Sequence, residues 1–240
     1  MIYKRPNKVI EVTKNNMAWR EQLPLIKWYK ENKNNFLIND KNNKINVFFT
    51  EIFEQYLTYK WIIPTDKVLE LGARHGTVSC TINSILENKR HHVAVEPDKS
   101  VHKTLKKNKK KFNAKFKICK KALSNTPLEF VIDDNDIHGN YTKETTKNKS
   151  NVETITHENF LKKYDIKFNV LIADCEGCLC NFFEENETFL NQLELILLEQ
   201  DRECGYESLY NKFSQHGFTK VESILNDYQQ VWTKEPTGLD

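Results

Sequence analysis

The chain has 240 residues, and its 36 lysine and arginine residues nearly balance its 33 aspartate and glutamate residues, for a formal net charge of +3 at pH 7. This balance gives no reason to expect nucleic acid as a partner, and the length suits one domain with an extension. No apolar run approaches the roughly 20 residues that span a bilayer, and residues 1–20 are too polar for a signal peptide. We therefore expect a cytoplasmic protein without a membrane span.

Residues 1–60 differ in composition from the rest, and we predict that they form an N-terminal helical extension. The apolar residues between positions 19 and 29 predict a helical turn, and the polar, asparagine-rich stretch 31–43 predicts a loop. From Ile45 to Tyr59 the apolar residues recur at steps of three and four, which is typical of an amphipathic helix. A second domain is predicted over residues 61–240.

From residue 67 onward, strand and helix patterns alternate. Strands are predicted at 67–72, 92–96, 115–119, 168–174 and 193–199, and helices at 76–88, 98–110, 157–164, 178–190 and 206–214. This alternation predicts a parallel sheet with helices on both faces. Two further strands, at 218–221 and 228–233, would pair antiparallel and complete a sheet of seven strands.

The first predicted strand runs into a glycine turn that opens a helix. Gly72 and Gly76 frame this turn, and Glu96 ends the next strand about twenty residues later. Such an arrangement binds a nucleoside, because glycine lets the ligand approach the backbone and the acid binds both ribose hydroxyls. The spacing Gly72-x-x-x-Gly76, with Glu70 before it, departs from the dinucleotide pattern. It suits S-adenosylmethionine (SAM), which has no pyrophosphate. We therefore predict an α/β fold with a Rossmann-like, seven-stranded class I methyltransferase sheet.

Three acids belong to the ends of predicted strands. Glu70 lies in the first strand, Glu96 ends the second and Asp174 ends the fourth. Ligands of an open parallel sheet bind beyond the carboxyl ends of its strands, where the strand order reverses. One such acid alone would more often cap a helix or lie in a solvated turn. Three of them beside a glycine turn predict that all three face one ligand crevice.

The segment 169–177 is an apolar strand that ends in Asp-Cys-Glu-Gly. With the glycine turn, Glu96-Pro97, Ala122-Leu123-Ser124 and residues 154–161, it resembles the FkbM family of SAM-dependent methyltransferases over about residues 68–199. The resemblance implies methylation of hydroxyl oxygens, often on sugars or other polyhydroxylated small molecules. The residues that we predict to bind the cofactor are Glu70, Gly72, Ala73, Gly76, Glu96, Ala122, Leu123 and Asp174. Among them, the resemblance assigns Glu96 to the ribose, and Ala122 and Leu123 to the adenine.

Three positions depart from the family's pattern. Ile172 stands where the family usually has lysine, and Leu179 stands where it usually has glutamate. His157 stands where it generally has aspartate. The joint loss of a cation and an anion would either exchange a salt bridge for packing or alter the recognition of the methyl acceptor.

Methylation of a hydroxyl calls for a general base. An alcohol is a weak nucleophile at neutral pH, so a base that takes its proton contributes roughly 10²–10⁴-fold to the rate. Asp174 is the first candidate, because its strand end places it at the reacting centre. His138, in a polar loop after a predicted strand at 128–132, is the second, and His75 in the glycine turn is the third. The alternatives are a hydrogen bond from SAM to Asp174 and ordinary loop positions for both histidines.

We expect neither a functional metal nor a zinc site. Asp174, Glu176 and Glu199 would offer hard oxygen ligands to a divalent cation if they converged, but sequence spacing does not show convergence. Cys175, Cys178 and Cys180 lack the second cysteine pair that a zinc site needs. All six cysteines are expected to be reduced thiols.

Two rivals to a sugar-directed enzyme remain open. The lysine-rich run 103–121 would suit phosphates, although a solvated helix face explains it better, and it suggests a nucleic-acid methyltransferase. The replacements at Ile172 and Leu179 suggest a catalytically silent binding protein with the same fold. The leading hypothesis is a SAM-dependent O-methyltransferase that acts on a hydroxyl of a carbohydrate or glycoconjugate.

Overall fold

The computed structural model describes residues 51–132, 141–200 and 204–234, together with the backbone of residues 36–38 and 44–46. A mixed sheet lies at its centre, with helices on both faces. None of the helices in this part of the chain combines the length and the apolar character needed to cross a membrane.

The first described elements are two short strands and a helix. Strand β1 (Phe36–Ile38) pairs antiparallel with β2 (Lys44–Asn46) outside the main sheet. Helix α1 spans Ile52–Trp61. The helix expected from residue 45 is therefore wrong at its start, where a strand stands instead. The helical turn expected near residues 19–29 lies outside the described residues.

The other elements follow in chain order. They are β3 (Val68–Leu71), α2 (Thr77–Ile85), β4 (His92–Val95), α3 (His102–Lys111), β5 (Lys117–Cys119), β6 (Ala122–Leu123), β7 (Leu128–Val131), β8 (Tyr141–Glu144), β9 (Thr154–Ile155), α4 (His157–Tyr164), β10 (Val170–Ala173), α5 (Cys178–Glu185), a 3₁₀ helix (Glu187–Asn191), β11 (Leu195–Glu199), α6 (Tyr206–Gln215), β12 (Phe218–Ile224) and β13 (Gln229–Lys234). The predicted helix 178–190 is divided in two at Asn186, where φ is −138°.

The main sheet has seven strands in the order β5-β4-β3-β10-β11-β13-β12. The first five are parallel, and β13 runs antiparallel to both of its neighbours. The predicted Rossmann-like class I methyltransferase sheet is thereby confirmed. The strand order reverses between β3 and β10, so the ends of these two strands border the place where such sheets bind ligands.

The sheet is buried on both faces, and alternate residues of each central strand pack into different apolar clusters. In β10, Val170 and Ile172 pack on the face covered by α1 and α2. Leu171 and Ala173 pack on the opposite face, under α4, α5 and α6. This is why the central strands read as continuous apolar runs rather than as alternating ones.

The three departures from the FkbM pattern lie in separate places. Ile172 and Leu179 are both buried, but they belong to the clusters on opposite faces of the sheet. They therefore do not replace one salt bridge by one packed pair. His157 is buried edge-on to Phe182 and Phe189, and burial lowers its pKa to about 4, which keeps the imidazole neutral.

Helix α1 is tied to the sheet by a buried acid on β12. Glu222 is 2% exposed, and Lys60 donates to both of its carboxylate oxygens at 2.8 Å. The indole nitrogen of Trp61 donates to the same carboxylate. Leu57 and Trp61 also share one apolar cluster with the strands. The helix thus runs through the predicted boundary at residue 60, and the division of the chain into two domains stays a prediction.

Candidate functional site

A pocket opens beyond the carboxyl ends of β3, β4 and β10, beside the point where the strand order reverses. Five of the predicted cofactor-binding residues line it: Gly72, Glu96, Ala122, Leu123 and Asp174. They come from three strand ends and from the short β6 strand, which pairs with β9 outside the main sheet. Residues far apart in the sequence are therefore neighbours around one space.

Gly72 brings the end of β3 against the end of β10. Its φ is +89°, a conformation that favours glycine. A Cβ atom built on it would lie 1.6 Å from the carbonyl oxygen of Asp174, inside the space that this atom occupies. The N–H of Asp174 in turn donates to the carbonyl of Leu71 at 3.1 Å. A side chain at position 72 would push the two strand ends apart.

Glu96 presents its carboxylate to the pocket from the end of β4. The side chain is held by two backbone donors, the N–H of Arg74 to Oε2 and the N–H of Asp98 to Oε1, each at 2.7 Å. A carboxylate has about four acceptor positions, so two of them remain for a ligand after these bonds are made. This geometry suits a pair of neighbouring hydroxyls, such as those of a ribose.

The pKa of Glu96 is raised from its ordinary value of 4.5 to about 7. Burial is the main cause, because the residue is 6% exposed and its charged form loses hydration. The two backbone hydrogen bonds act in the opposite direction and lower the pKa. A ligand that donates hydrogen bonds would favour the ionised form further.

One wall of the pocket is apolar. It is formed by Ala122 and Leu123 of β6, by Leu128 and Phe130 of β7, and by Phe182 of α5. Strands β7 and β8 pair antiparallel beside it. A flat, weakly polar ring such as adenine is the kind of group that such a wall accepts.

Glu70 does not line this pocket, contrary to the expectation that three acids face one crevice. It is 2% exposed. The hydroxyl of Ser79 donates to its Oε2 at 2.6 Å, and Nε2 of His92 lies 2.9 Å from the same oxygen. The side chain of Glu70 points into the interior because successive residues of a strand face opposite sides of the sheet. It fastens α2 and β4 to β3.

Three further residues that we predicted to contact ligands, Ala73, His75 and Gly76, lie outside the pocket lining. Ala73 is buried in a cluster with Leu105. Gly76 has φ +83°, and a Cβ there would lie 2.6 Å from Cδ1 of Leu105. The absence of a side chain at this position therefore lets Leu105 of α3 pack closely against the turn. His75 is buried rather than exposed, and its carbonyl accepts a hydrogen bond from Asn108. His138 lies outside the described residues.

A second group of acids adjoins the pocket at Asp174. Carboxylate oxygens of Glu54, Asp174 and Glu199 all lie within 4.8 Å of one another. Glu54 comes from α1, while the other two come from the ends of β10 and β11. Glu176, which the sequence offers as a third oxygen ligand beside Asp174 and Glu199, lines the pocket but does not belong to this group.

Burial and like charges raise the pKa values of two acids at the start of α1, Glu54 and the preceding Glu51. The pKa of Glu54 is raised well above its ordinary value, first by burial and then by the charges of Asp174, Glu51 and Glu199. The pKa of Glu51 is raised to about 7 by burial and by the charge of Glu70. This part of the molecule favours an added positive charge.

Sequence reasoning missed Glu54 and Glu51. The sequence of α1 contains a pattern that could have identified Glu54. The three polar residues Glu54, Gln55 and Thr58 lie among the apolar residues of its buried face. All three are buried in the structure. A charged residue on the buried face of an amphipathic helix is uncommon without a partner, and that anomaly marks the position as one to examine.

Four of the six cysteines form disulfides, so the expectation of reduced thiols is wrong for them. Cys175 pairs with Cys178, and Cys180 pairs with Cys204. The first disulfide lines the pocket directly after Asp174. Disulfides persist mainly in oxidising compartments, so the cysteines no longer support a cytoplasmic location, which stays a prediction.

No family model matches this chain, and no curated protein matches it either. Solved structures do match. The methyltransferase FkbM of Methylobacillus flagellatus has a TM-score of 0.52 at 11% identity, over 72% of this chain and 44% of that one, which is less than half of its length. This likeness shows a shared methyltransferase fold, and membership in the FkbM family stays a prediction.

Two further matches are weaker in geometry. A precorrin-6y C5,15-methyltransferase from Geobacter metallireducens has a TM-score of 0.47 at 14% identity, over 77% of this chain and 78% of that one. An rRNA methylase from Streptococcus thermophilus has a TM-score of 0.46 at 11% identity, over 76% and 94%. Their different acceptors do not distinguish among the possible substrates of this chain.

Replacement of Gly72 by alanine tests the contact between the two strand ends. Gly72→Ala should lower the free energy of unfolding in urea by more than Gly217→Ala does. Both glycines have positive φ, which costs alanine about 1–2 kcal/mol, but a Cβ at Gly217 meets nothing within 4 Å. The difference between the two variants isolates the clash with Asp174. Equal losses would contradict the close approach.

Proposed function

We propose that this protein is a SAM-dependent methyltransferase that transfers a methyl group to a hydroxyl oxygen of a carbohydrate or glycoconjugate. The observation that carries the proposal is Glu96, a buried carboxylate fixed by two backbone N–H groups at the edge of a pocket at the switch point. SAM, when bound, supplies an electrophilic methyl group on a positively charged sulfur.

The residues around the pocket fit the parts of SAM. Glu96 has acceptor positions for the two ribose hydroxyls, which would add charge-assisted hydrogen bonds. Ala122 and Leu123 supply the apolar surface for the adenine ring. Gly72 lines the pocket between the ends of β3 and β10, where the amino-acid end would lie. Asp174, at the end of β10, would lie between the transferred methyl group and the acceptor.

Asp174 is the residue that we assign as general base. It lines the pocket and also belongs to the acid group with Glu54 and Glu199, so it would border both the cofactor and the acceptor. As the acceptor oxygen forms its bond to the methyl carbon, the electrons of the broken carbon–sulfur bond stay on sulfur. The proton of the hydroxyl passes to the carboxylate of Asp174.

The acid group favours a hydroxylated acceptor over a phosphorylated one. Carboxylates accept hydrogen bonds from sugar hydroxyls, and they repel the phosphates of nucleic acid. Most lysines of the run 103–111 are exposed along α3. That helix begins after Val101, which lines the pocket, and its last lysines lie about 15 Å further along its axis.

The exposed lysine face supports one second candidate, a methyltransferase that acts on RNA or DNA. Lys103, Lys106, Lys107 and Lys110 form a continuous basic strip on α3, which a phosphate backbone would contact. The affinity of this protein for RNA or DNA would then fall steeply as the salt concentration rises.

The dependence of SAM binding on pH tests the role of Glu96. The dissociation constant of wild-type protein for SAM, measured by calorimetry, should rise up to about tenfold for each pH unit below 7, because a carboxyl with a pKa near 7 must ionise to receive both hydroxyls. In the free protein, the raised pKa of Glu96 contributes stability that is present below pH 4.5 and is lost as pH rises to about 7.

Glu96→Gln provides the control for that measurement. It keeps the shape of the side chain but cannot ionise, so it should bind SAM at least about tenfold more weakly at pH 8. Its remaining affinity should change less between pH 5 and pH 8 than that of wild-type protein. An unchanged affinity in this variant would remove Glu96 from the cofactor site.

Asp174→Asn separates chemistry from cofactor binding. We expect it to bind SAM with nearly the wild-type affinity and to lose about 10²–10⁴-fold in turnover, since the amide cannot take the proton. Asp165→Asn is the matched control, because Asp165 is exposed at the end of α4 and has φ +50°, which asparagine tolerates. Full activity of Asp174→Asn would exclude it as the base.

Transfer of labelled methyl from SAM identifies the acceptor. Purified protein would be offered oligosaccharides, nucleotide sugars and RNA in parallel, and mass spectrometry would locate the methyl group in the product. We expect label on a hydroxyl oxygen of a glycan. Label on RNA, with none on any sugar, would favour the second candidate, and absence of label from every acceptor would support a silent binding protein.

A further inference from the structure

The acids of α1, β10 and β11 have the geometry of a cation site. Oxygens of Glu54, Asp174 and Glu199 lie within 4.8 Å of one another. Oxygen ligands on opposite sides of one Mg²⁺ or Ca²⁺ ion are about 4–5 Å apart, which is twice the metal–oxygen distance. Three oxygens cannot all be opposite one another, but the centre of this group is at most about 2.8 Å from each of them, so small side-chain movements let one ion contact all three.

Glu54 differs from every other buried acid in the described part of the chain. It is 4% exposed, and no described residue donates a hydrogen bond to its carboxylate or pairs with it as a cation. The other buried acids all accept hydrogen bonds at short range: Asp66, Glu70, Glu96 and Glu222. A buried carboxylate without a donor is costly, and this one points at two further carboxylates.

We propose that Glu54, Asp174 and Glu199 bind one hard divalent cation. Three carboxylates carry a formal charge of about −3 when ionised, so a divalent ion leaves −1, whereas an organic ammonium group would leave −2. Carboxylate oxygens are the ligands that Mg²⁺, Mn²⁺ and Ca²⁺ prefer.

The carboxylate of Glu199 is already oriented by two hydrogen bonds from neighbouring side chains. The phenol of Tyr228 donates to Oε1 of Glu199 at 2.5 Å, and the side chain of Gln229 donates to Oε2. Hydrogen bonds of this kind fix the direction of a metal-binding carboxylate and are part of most metal sites. Gln229 is the first residue of β13, the strand that pairs with β11, and Tyr228 directly precedes it.

The position of the ion gives it a role, and this role rests on the proposed function. Asp174 lines the cofactor pocket as well as the acid group, so the ion would lie beside the point of methyl transfer. There it would bind a hydroxyl oxygen of the acceptor and make its proton easier to remove. Neighbouring hydroxyls of a sugar suit a hard cation because both are oxygen donors.

Manganese tests the site without SAM. Purified full-length protein would be titrated with MnCl₂, and the EPR signal of free Mn²⁺ would give the bound fraction. We expect one Mn²⁺ per chain, displaced by Mg²⁺ or Ca²⁺ and not by methylammonium. Glu54→Gln should weaken binding at least about tenfold, while Glu207→Gln, which changes an exposed acid on α6, should leave it unchanged.

A second variant and a melting curve test whether weaker Mn²⁺ binding could result from unfolding of the variant protein. Glu199→Gln should weaken Mn²⁺ binding as Glu54→Gln does. In EDTA, Glu54→Gln should melt at or above the wild-type temperature, because it removes a repelling charge from a buried group. Equal Mn²⁺ affinity in wild type and both variants would overturn the proposal. So would the absence of binding at millimolar Mn²⁺, or displacement of Mn²⁺ by methylammonium at equal concentration.

The proposed metal site and the proposed methyltransferase function can be contradicted independently of each other. Mn²⁺ binding is measured without SAM, and SAM binding is measured in EDTA. Mn²⁺ binding by a protein that does not bind SAM supports the metal site and contradicts the proposed function. Conversely, SAM binding and methyl transfer that persist in EDTA, in a protein that binds no Mn²⁺, support the proposed function and contradict the metal site.

Discussion

The contact between Gly72 and the backbone of Asp174 is the constraint on which the rest of the site depends. The carbonyl oxygen of Asp174 occupies the space that a Cβ at position 72 would need, so the ends of β3 and β10 approach more closely than any side chain allows. The turn after Gly72 then presents the N–H of Arg74 to Glu96. One missing side chain thus places two acids from different strands around one pocket.

The buried glutamates differ in how their charge is satisfied, and the differences follow their roles. Glu222 receives an ammonium and an indole N–H and fixes α1. Glu70 receives a hydroxyl and a ring nitrogen and fixes α2. Glu96 has two backbone donors and open acceptor positions, and Glu54 has no donor among the described residues. Where burial is not matched by partners inside the protein, a bound ligand would offset its cost.

The sequence predicted those features that depend on local pattern. Apolar runs and the glycine turn located every strand of the main sheet, and the carboxyl-end rule brought Glu96 and Asp174 to one pocket. The sequence pattern could not predict which way Glu70 points, because a strand presents alternate residues to opposite faces of the sheet and both faces are buried here. Nor could it predict the convergence of Glu54 with Glu199, which are separated by 145 positions in the chain. The disulfides were missed because cysteine spacing does not reveal spatial pairing.

Ile172 and the acid group of Glu54, Asp174 and Glu199 are parts of one arrangement. Ile172 packs on the face of the sheet that α1 covers, and it precedes Asp174 by two residues in an extended strand, so both positions face the same side. A lysine at 172, as the FkbM resemblance implies, would bring a fixed cation beneath the helix that carries Glu54. With isoleucine there, the strand supplies packing to α1 and no charge to its acids. A cation bound between Glu54 and Asp174 would supply the positive charge that a lysine at 172 would carry, and it would add an open coordination position for the acceptor.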